Sequence, residues 1–282
     1  MAELSFWKMH GLGNDYIVID NREGALGEDE YPSFARKVCR RRLSIGADGV
    51  IAVCRAVSPD ADFRMRIFNP DGSEAEMCGN GIRCLARYVY EKGLIKSTEI
   101  RVETLSGVRT VAVEEEGGSV GAVTVDMGAP QFDRPKIPML GKGTFIDQSL
   151  PVGGSSVKAS CLSMGNPHCV IFADDLEAAP VESLGPLIEA HSLFPQRVNV
   201  EFVKVIDRRS LGVRTWERGV GETLACGTGA CASVVAGALN KLTSREVLVH
   251  LPGGDLQIEW LGDGRVLMTG PATEVFVGEI DI

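Results

Sequence analysis

The chain has 282 residues, 44% of them hydrophobic and 24% charged, with a formal net charge of −9. That length holds one large or two medium domains, each able to bury a core, and the composition excludes a largely disordered chain. An acidic balance leaves no basic footprint for nucleic acid, no run nears the roughly 18 apolar residues of a membrane span, and no charged-then-apolar leader opens the chain, so a cytoplasmic location without nucleic-acid or membrane partners is expected.

In chain order, Ser5 to Asp20 reads as a strand broken at Gly11-Leu12-Gly13, with Tyr16-Ile17-Val18-Ile19 as its apolar run. Pro32 to Leu43 has helical spacing, and its basic residues, from Arg36-Lys37 to Arg40-Arg41-Arg42, read as a solvated face. A turn at Gly46 to Gly49 precedes a strand over Val50 to Val57, and Asp62 to Phe68 alternates as a half-buried strand. A helix follows over Ile82 to Lys92, capped by Gly93; Thr98 to Val113 and Ser119 to Met127 then pair around a loop at Glu114 to Gly118. Pro130 to Pro151, rich in Pro and Gly, belongs between domains or at an edge. The second half repeats the plan: a strand over Cys169 to Ala173, a helix over Val181 to Ala190, strands over Asn199 to Ile206 and Gly212 to Trp216. A helix over Ala230 to Leu242 comes next, and then strands over Glu246 to Leu251, Asp255 to Trp260 and Arg265 to Thr269. Tight turns between many strands favour mostly antiparallel α+β domains over a Rossmann sheet, and no GxGxxG follows a strand.

Cys78-Gly79-Asn80-Gly81 and Cys226-Gly227-Thr228-Gly229 share one pattern, and the likeness extends around them. Phe68-Asn69 lies over Trp216-Glu217 and Glu74 over Glu222 at the same offset of 148 positions. Gly13-Asn14-Asp15 with Tyr16-Ile17-Val18-Ile19 lies over Gly165-Asn166-Pro167 with His168-Cys169-Val170-Ile171 at 152. So long a period points to two copies of one domain, since solenoid units recur every 20 to 50 residues or so. Glu74 and Glu222, just ahead of a helix, read equally as surface or turn residues.

Each cysteine opens a predicted helix, where unpaired N–H groups and the positive end of the helix dipole favour anions and lower a thiol's pKa. Two such thiols in equivalent places suit stereoinversion: if the copies pair about a pseudo-twofold axis, one thiolate removes a proton from one face of a carbon and the other thiol delivers one to the opposite face. Converging N–H groups would stabilise the enediolate-like carbanion, so this chemistry calls for no cofactor, and no lysine signature for pyridoxal phosphate stands out. None of the eight cysteines pair as CxxC and the four histidines lack ligand spacing, so no metal is expected. Cys39, Cys54, Cys161 and Cys169 read as buried apolar residues, and Cys84 and Cys231 as packing residues.

The ordered segments Met9 to Asp20 (MHGLGNDYIVID), Phe68 to Cys84 (FNPDGSEAEMCGNGIRC), Gly165 to His168 (GNPH), Glu217 to Ala230 (ERGVGETLACGTGA) and Met268 to Pro271 (MTGP) resemble the diaminopimelate epimerases nearly end to end. The resemblance implies two homologous, pseudo-twofold-related domains, each a mostly antiparallel curved sheet wrapped around a central helix, with the active site in the cleft between them. It places one domain at 1–124, joined by a returning strand at 272–282, and the other at 125–271. It implies a two-base epimerase, independent of cofactor, that interconverts LL- and meso-diaminopimelate for lysine and peptidoglycan precursors. Cys78 and Cys226 match the acid–base pair, and His168 and Glu217 stand beside the reacting centre. Asn14, Asn69, Gly79, Asn80, Asn166, Asn199, Glu217, Arg218, Gly227 and Thr228 match the substrate contacts, with Arg218 suited to a distal carboxylate. A homodimer is also implied.

Two positions depart from the pattern. Gly49 follows Asp48 where family members often carry a substrate-contacting glutamine, and Phe276 stands where some use a tyrosine at the dimer interface. Two rival readings remain: a proline racemase or hydroxyproline epimerase, which tends to have histidine where this chain has Asn80, and a non-catalytic amino-acid-binding relative, which intact Cys78 and Cys226 disfavour.

Overall fold

The computed structural model describes residues 3–281 and divides them into two units, one running through Asp126 and resuming at Thr269, the other spanning Met127–Met268. In the first unit, strand Glu3–Gly11 lies antiparallel to Thr273–Asp281 and to Asn14–Asp20, which runs parallel to Gly49–Arg55. Gly49–Arg55 is antiparallel to Phe63–Phe68, which pairs antiparallel with the short Glu74–Ala75 and parallel with Glu99–Thr104; that strand continues antiparallel into Gly107–Glu116 and Ser119–Asp126.

The second unit follows the same sequence of pairings. Ser155–Ser163 is antiparallel to Phe145–Val152 and to Pro167–Phe172, which is parallel to Asn199–Asp207. Asn199–Asp207 is antiparallel to Ser210–Glu217, which pairs with Gly221–Thr223 and, in parallel, with Glu246–Leu251; that strand is antiparallel to Gly254–Trp260. The repeat in the sequence is thus a repeat of topology: mixed α/β units whose strands are mostly antiparallel.

Four α-helices occur among the described residues: α1 Tyr31–Val38, α2 Gly79–Glu91, α3 Val181–Glu189 and α4 Gly227–Leu239. The sheet of each unit carries a helix on both faces, which explains unbroken apolar strands. On Asn14–Asp20, Ile17 and Ile19 join the core beneath α1, with Tyr31, Phe34, Ala35 and Val38, while Asn14, Tyr16 and Val18 alternate to the other face, toward α2. On Pro167–Phe172, Cys169 and Ile171 join the core cluster that includes Val181 and Ile188 of α3, leaving His168 and Val170 toward α4. Helix α4 is buried on nearly every side, so small residues suit it: a Cβ at Gly237 would stand 2.6 Å from the Thr243 hydroxyl.

Several sequence expectations need correction. Helix α1 stops at Val38 rather than Leu43, because the returning loop takes its last carbonyls (Gly46 N–H to Val38 O, 2.9 Å; Ala47 N–H to Cys39 O, 3.2 Å). Arg41 therefore lies beyond the helix and binds Asp15 and Asp48 instead of lining a solvated face. Thr98 to Val113 is a hairpin, turned between Thr104 and Gly107. Phe145–Val152, most of it within the Pro- and Gly-rich stretch Pro130 to Pro151 expected between domains or at an edge, is a strand, and its partner Ser155–Ser163 was not foreseen; Pro151 is accommodated there while its carbonyl accepts from His191 Nε2 at 2.9 Å. Both α2 and α4 begin three residues earlier than their spacing indicated, on the glycines next to Cys78 and Cys226. Gly93, at φ +67°, ends α2 with Leu94 N–H on Val89 O and Gly93 N–H on Tyr90 O, both 2.9 Å.

Candidate active site

The approach to each cysteine is braced in the same way. Arg66 Nε and Nη2 hold the two carboxylate oxygens of Glu74 at 2.7 and 2.9 Å, and Arg214 holds Glu222 at 2.7 and 3.0 Å. The paired glutamates are therefore neither loose surface nor turn residues; each pins the short hairpin that leads into its Cys-Gly-x-Gly segment, with planar bidentate geometry.

Cys78 is the N-cap of α2, extended at φ −141°, ψ 122°, and its carbonyl accepts the first intrahelical bond from Ile82 N–H at 2.9 Å. The N–H groups of Gly79, Asn80 and Gly81 thus precede the helical ladder. The Cys78 sulfur, half-buried, lies 2.9 Å from Tyr16 Oη and 3.7 Å from Asn14 Oδ1. Asn14 Nδ2 donates to Asp48 at 2.9 Å, and Asn80 Nδ2 approaches Asn14 Oδ1 at 3.5 Å. Asn80 is held from behind by the fully buried Arg83, whose guanidinium also donates to Gly79 O and Pro271 O. Asn69 is not in this cluster: it stands in the turn after Phe68, donating to Ser73 Oγ at 2.9 Å. That turn is tight because Gly72, at φ +86°, passes where a Cβ would meet Pro32 O at 2.8 Å. A side chain at Gly49 would likewise meet Phe68 O at 2.9 Å, so glutamine does not fit there without a backbone shift.

Cys226 is the corresponding N-cap of α4, at φ −119°, ψ 107°, with Ala230 N–H on its carbonyl at 2.9 Å. Its thiol is buried and lies 3.5 Å from Thr228 Oγ1, and the nearby Glu217 carboxylate accepts from Thr223 Oγ1 at 2.5 Å. Burial raises the Glu217 carboxyl above its ordinary range, against the lowering effect of the Thr223 hydroxyl and the Cys226 thiol. Burial, and then the carboxylates of Glu217 and Glu201, push the Cys226 thiol well above its ordinary value, outweighing the Thr228 hydroxyl and the Gly229 N–H. The lowered thiol expected at a helix terminus therefore does not hold for Cys226.

His168 is fully buried between Asn166 Oδ1, 2.9 Å from Nε2, and Glu201 Oε1, 2.7 Å from Nδ1. Asn166 Nδ2 donates onward to Thr228 Oγ1 at 3.2 Å, so a hydrogen-bonded line runs Glu201, His168, Asn166, Thr228, Cys226. The other Glu201 oxygen, Oε2, is buried without a hydrogen-bond partner among the described residues. Asn199 braces the backbone, donating to Pro167 O at 3.0 Å and accepting from Arg218 N–H at 2.9 Å. Arg218 is exposed, with Nη1 on Gln196 O at 3.1 Å.

Tyr16 and Glu201 were missed by sequence reading, and the signal was a spacing of two. Tyr16 follows Asn14, and Glu201 follows Asn199, by two residues on a strand, as His168 follows Asn166; each pair shares the face turned to the central helix. Among the described residues no group of three or more His, Cys, Asp or Glu is placed to hold a metal ion, and no helix is long and apolar enough to cross a membrane.

Two units of one topology, each entering its central helix through an N-cap cysteine, define the epimerase-type α+β fold. The same fold is found in a hydroxyproline epimerase from Agrobacterium vitis (TM-score 0.70, 15% identity, covering 99% of this chain and 92% of that one) and in a Bacillus anthracis phenazine biosynthesis protein of the PhzF family (TM-score 0.71, 19% identity, 100% of both). The profile described as Diaminopimelate epimerase matches residues 6–133 and 160–275. Proteins named diaminopimelate epimerase from Moorella thermoacetica and Methanothermobacter thermautotrophicus are 54% and 51% identical, the first over 99% of this chain and 100% of its own length, the second over 97% of each. The chain belongs to the diaminopimelate epimerase family.

Proposed function

We propose that this chain is an isomerase that interconverts LL- and meso-diaminopimelate without a cofactor, with Cys78 and Cys226 as its two acid–base groups. The observation that carries the reading is the paired placement of the cysteines: each is the N-cap of its unit's central helix, at the end of the same Arg–Glu-braced hairpin.

The chemistry follows from what each thiol touches. In one direction Cys78, as thiolate, takes the α-proton, and Cys226, a buried thiol pushed up by burial and by Glu217 and Glu201, gives its proton to the carbanion from the opposite side. The reverse direction exchanges the roles, with Glu217 and the His168 line accepting charge or proton as Cys226 ionises. The N–H groups of Gly79 and Asn80, and of Gly227 and Thr228, precede the first intrahelical bonds and are the donors for the substrate carboxylate as negative charge develops. Asn14, Asn69, Asn166 and Asn199 supply neutral donors and acceptors, and Arg218 the cationic anchor for the distal carboxylate. These assignments favour a long dicarboxylate over a small imino acid.

The test is incubation of the reduced protein with LL-diaminopimelate in D₂O without added cofactor. Solvent deuterium at the α-carbon, together with the meso isomer, is expected; an unlabelled, uninverted substrate sinks the reading, and turnover of proline or hydroxyproline in its place redirects it to the rival family. The same reading carries a cytoplasmic enzyme of lysine biosynthesis and a homodimer. The dimer is supported by the exposed apolar run Val275, Phe276 and Val277 on the last strand, at 56%, 45% and 50% exposure, and sedimentation equilibrium tests it, a monomer being the contrary result.

A further inference from the structure

Tyr16 stands, in the repeat, where His168 stands in the second copy, 152 positions on. The two residues share a local geometry: Tyr16 Oη lies 2.5 Å from Asn14 Oδ1, as His168 Nε2 lies 2.9 Å from Asn166 Oδ1. Tyr16 goes further, because its oxygen is also 2.9 Å from the Cys78 sulfur. A phenol has one proton, and here it has two acceptors within reach.

We propose that Tyr16 is a positioning residue for Cys78 whose hydroxyl donates to Asn14 Oδ1 while Cys78 is a thiol and turns to the sulfur when Cys78 is a thiolate. The inference rests on the acid–base role of Cys78 proposed above. No proton leaves the tyrosine at any stage: Cys78 gains its proton from the substrate carbon or loses it there, and the phenolic O–H only changes the acceptor it faces. When Cys78 is a thiol, its S–H donates to Tyr16 Oη; when it is a thiolate, a charge-assisted O–H···S⁻ bond replaces that contact.

Three features prepare this exchange. The ring is held, being only 4% exposed and lying beside Gly49, whose missing Cβ would touch ring carbons at 3.4 and 3.5 Å. Asn14 is oriented, since its Nδ2 donates to Asp48, which Arg41 binds at 2.8 Å, so Oδ1 faces the phenol. When the phenol turns away, Asn80 Nδ2, 3.5 Å off, remains as a donor to that oxygen. Burial, then the neighbouring Cys78, raise the phenol well above its ordinary pKa, so it acts as a fixed O–H donor and not as a base. Of the ionisable groups that face this corner, Asp48 from the preceding loop and Cys84 from α2 act on the Tyr16 phenol, and Arg83 and Arg87 of α2 act on Cys84.

The experiment reads the thiol of the free, reduced protein without substrate, by site-resolved iodoacetamide alkylation of Cys78 as a function of pH. A charge-assisted hydrogen bond of ordinary strength predicts that Tyr16→Phe moves the curve up by about one to two pH units, with a roughly tenfold or greater loss of rate at fixed pH below the plateau. A second variant carries 3-fluorotyrosine at position 16, which keeps the fold and strengthens the donor, and its curve is expected to move down. Curves that coincide with the wild type in both proteins overturn the proposal; if the phenylalanine variant does not fold, the fluorotyrosine protein alone decides. Because no substrate is involved, the result stands or falls apart from the deuterium-exchange test of the activity.

Discussion

Replacing Gly229 with alanine tests how the two copies of the Cys-Gly-x-Gly segment differ, with Gly81→Ala as its internal control. Both glycines are third in their helices, so alanine gains about 0.5–1 kcal/mol of helix preference at either position. At Gly81 the new Cβ would meet the Cδ1 methyls of Ile51 and Ile67 at 3.1 and 3.5 Å, flexible ends that yield by a small rotation costing about 0.5–1 kcal/mol. The net change there is close to zero. At Gly229 the Cβ would stand 2.7 Å from Glu201 Oε1, 3.2 Å from its Cγ and 3.3 Å from Cys226 Cβ. Glu201 is fully buried and fixed to His168, so it has no free rotation to offer, and overpacking of about 2–3 kcal/mol leaves a net loss of about 1–2.5 kcal/mol. Urea unfolding of the two variants and the wild type measures the difference. Adding Glu201→Ala to Gly229→Ala should cost less than the sum of the single changes, since the clash and the buried carboxylate go together. Equal stability of the two glycine variants, or full additivity of the pair, would refute the packing argument.

In the free protein at pH 7 to 8, iodoacetamide is expected to modify Cys78 well before Cys226, because Cys226 is 5% exposed and its thiol is pushed up by burial and two carboxylates; peptide mass mapping showing Cys226 first would contradict this. Asp15 is raised by its burial but lowered more by hydrogen bonds from Arg41 and Lys8, and its folded value falls from 3.8 to about 2. A depressed folded pKa means that its stabilisation is fully present above pH 3.8 and is lost as pH falls toward 2. The stability gap between wild type and Asp15→Asn should therefore be constant from pH 7 to 5 and shrink between about pH 4 and 2; a gap that does not change with pH in urea titrations would show that the charge is not what Asp15 contributes.

The repeat was legible because it was spelled in residues with few substitutes, glycine and N-cap cysteine among them, and the helices that follow were legible from spacing. What spacing does not give is partners. Glu74 and Glu222 align, as do Arg66 and Arg214 at the same offset of 148, yet the bond between each pair, eight residues apart across a hairpin, needs the folded sheet to close it. Tyr16 read as one more apolar strand residue, since its ring is buried and only its oxygen reaches Cys78. Glu201 was invisible for the same reason in reverse: a carboxylate inside the apolar run Val200 to Val203 looks like a solvated face until His168 is found against it. The direction of the Cys226 shift depended on Glu217 and Glu201 standing nearby, which the helix-terminus argument alone did not contain. The Pro- and Gly-rich stretch Pro130 to Pro151 hid a strand because Pro151, poor in general for strands, here offers its carbonyl rather than the N–H it lacks.

The copies also diverge in step. Tyr16, Gly49, Ile51 and Asn80 in the first unit stand where His168, Asn199, Glu201 and Thr228 stand in the second, so the Cys78 thiol touches a phenol and an amide while the Cys226 thiol lies near two carboxylates. With that asymmetry, burial and the carboxylates of Glu217 and Glu201 push the Cys226 thiol well above its ordinary value.

The central claim is that inversion needs both thiols, and single-cysteine variants test it most directly. LL-diaminopimelate is incubated in D₂O with wild type, Cys78→Ala and Cys226→Ala, and the isomers are separated and weighed for deuterium. The wild type is expected to form labelled meso product, and each variant none. Inversion at the wild-type rate by either variant would contradict the two-base account.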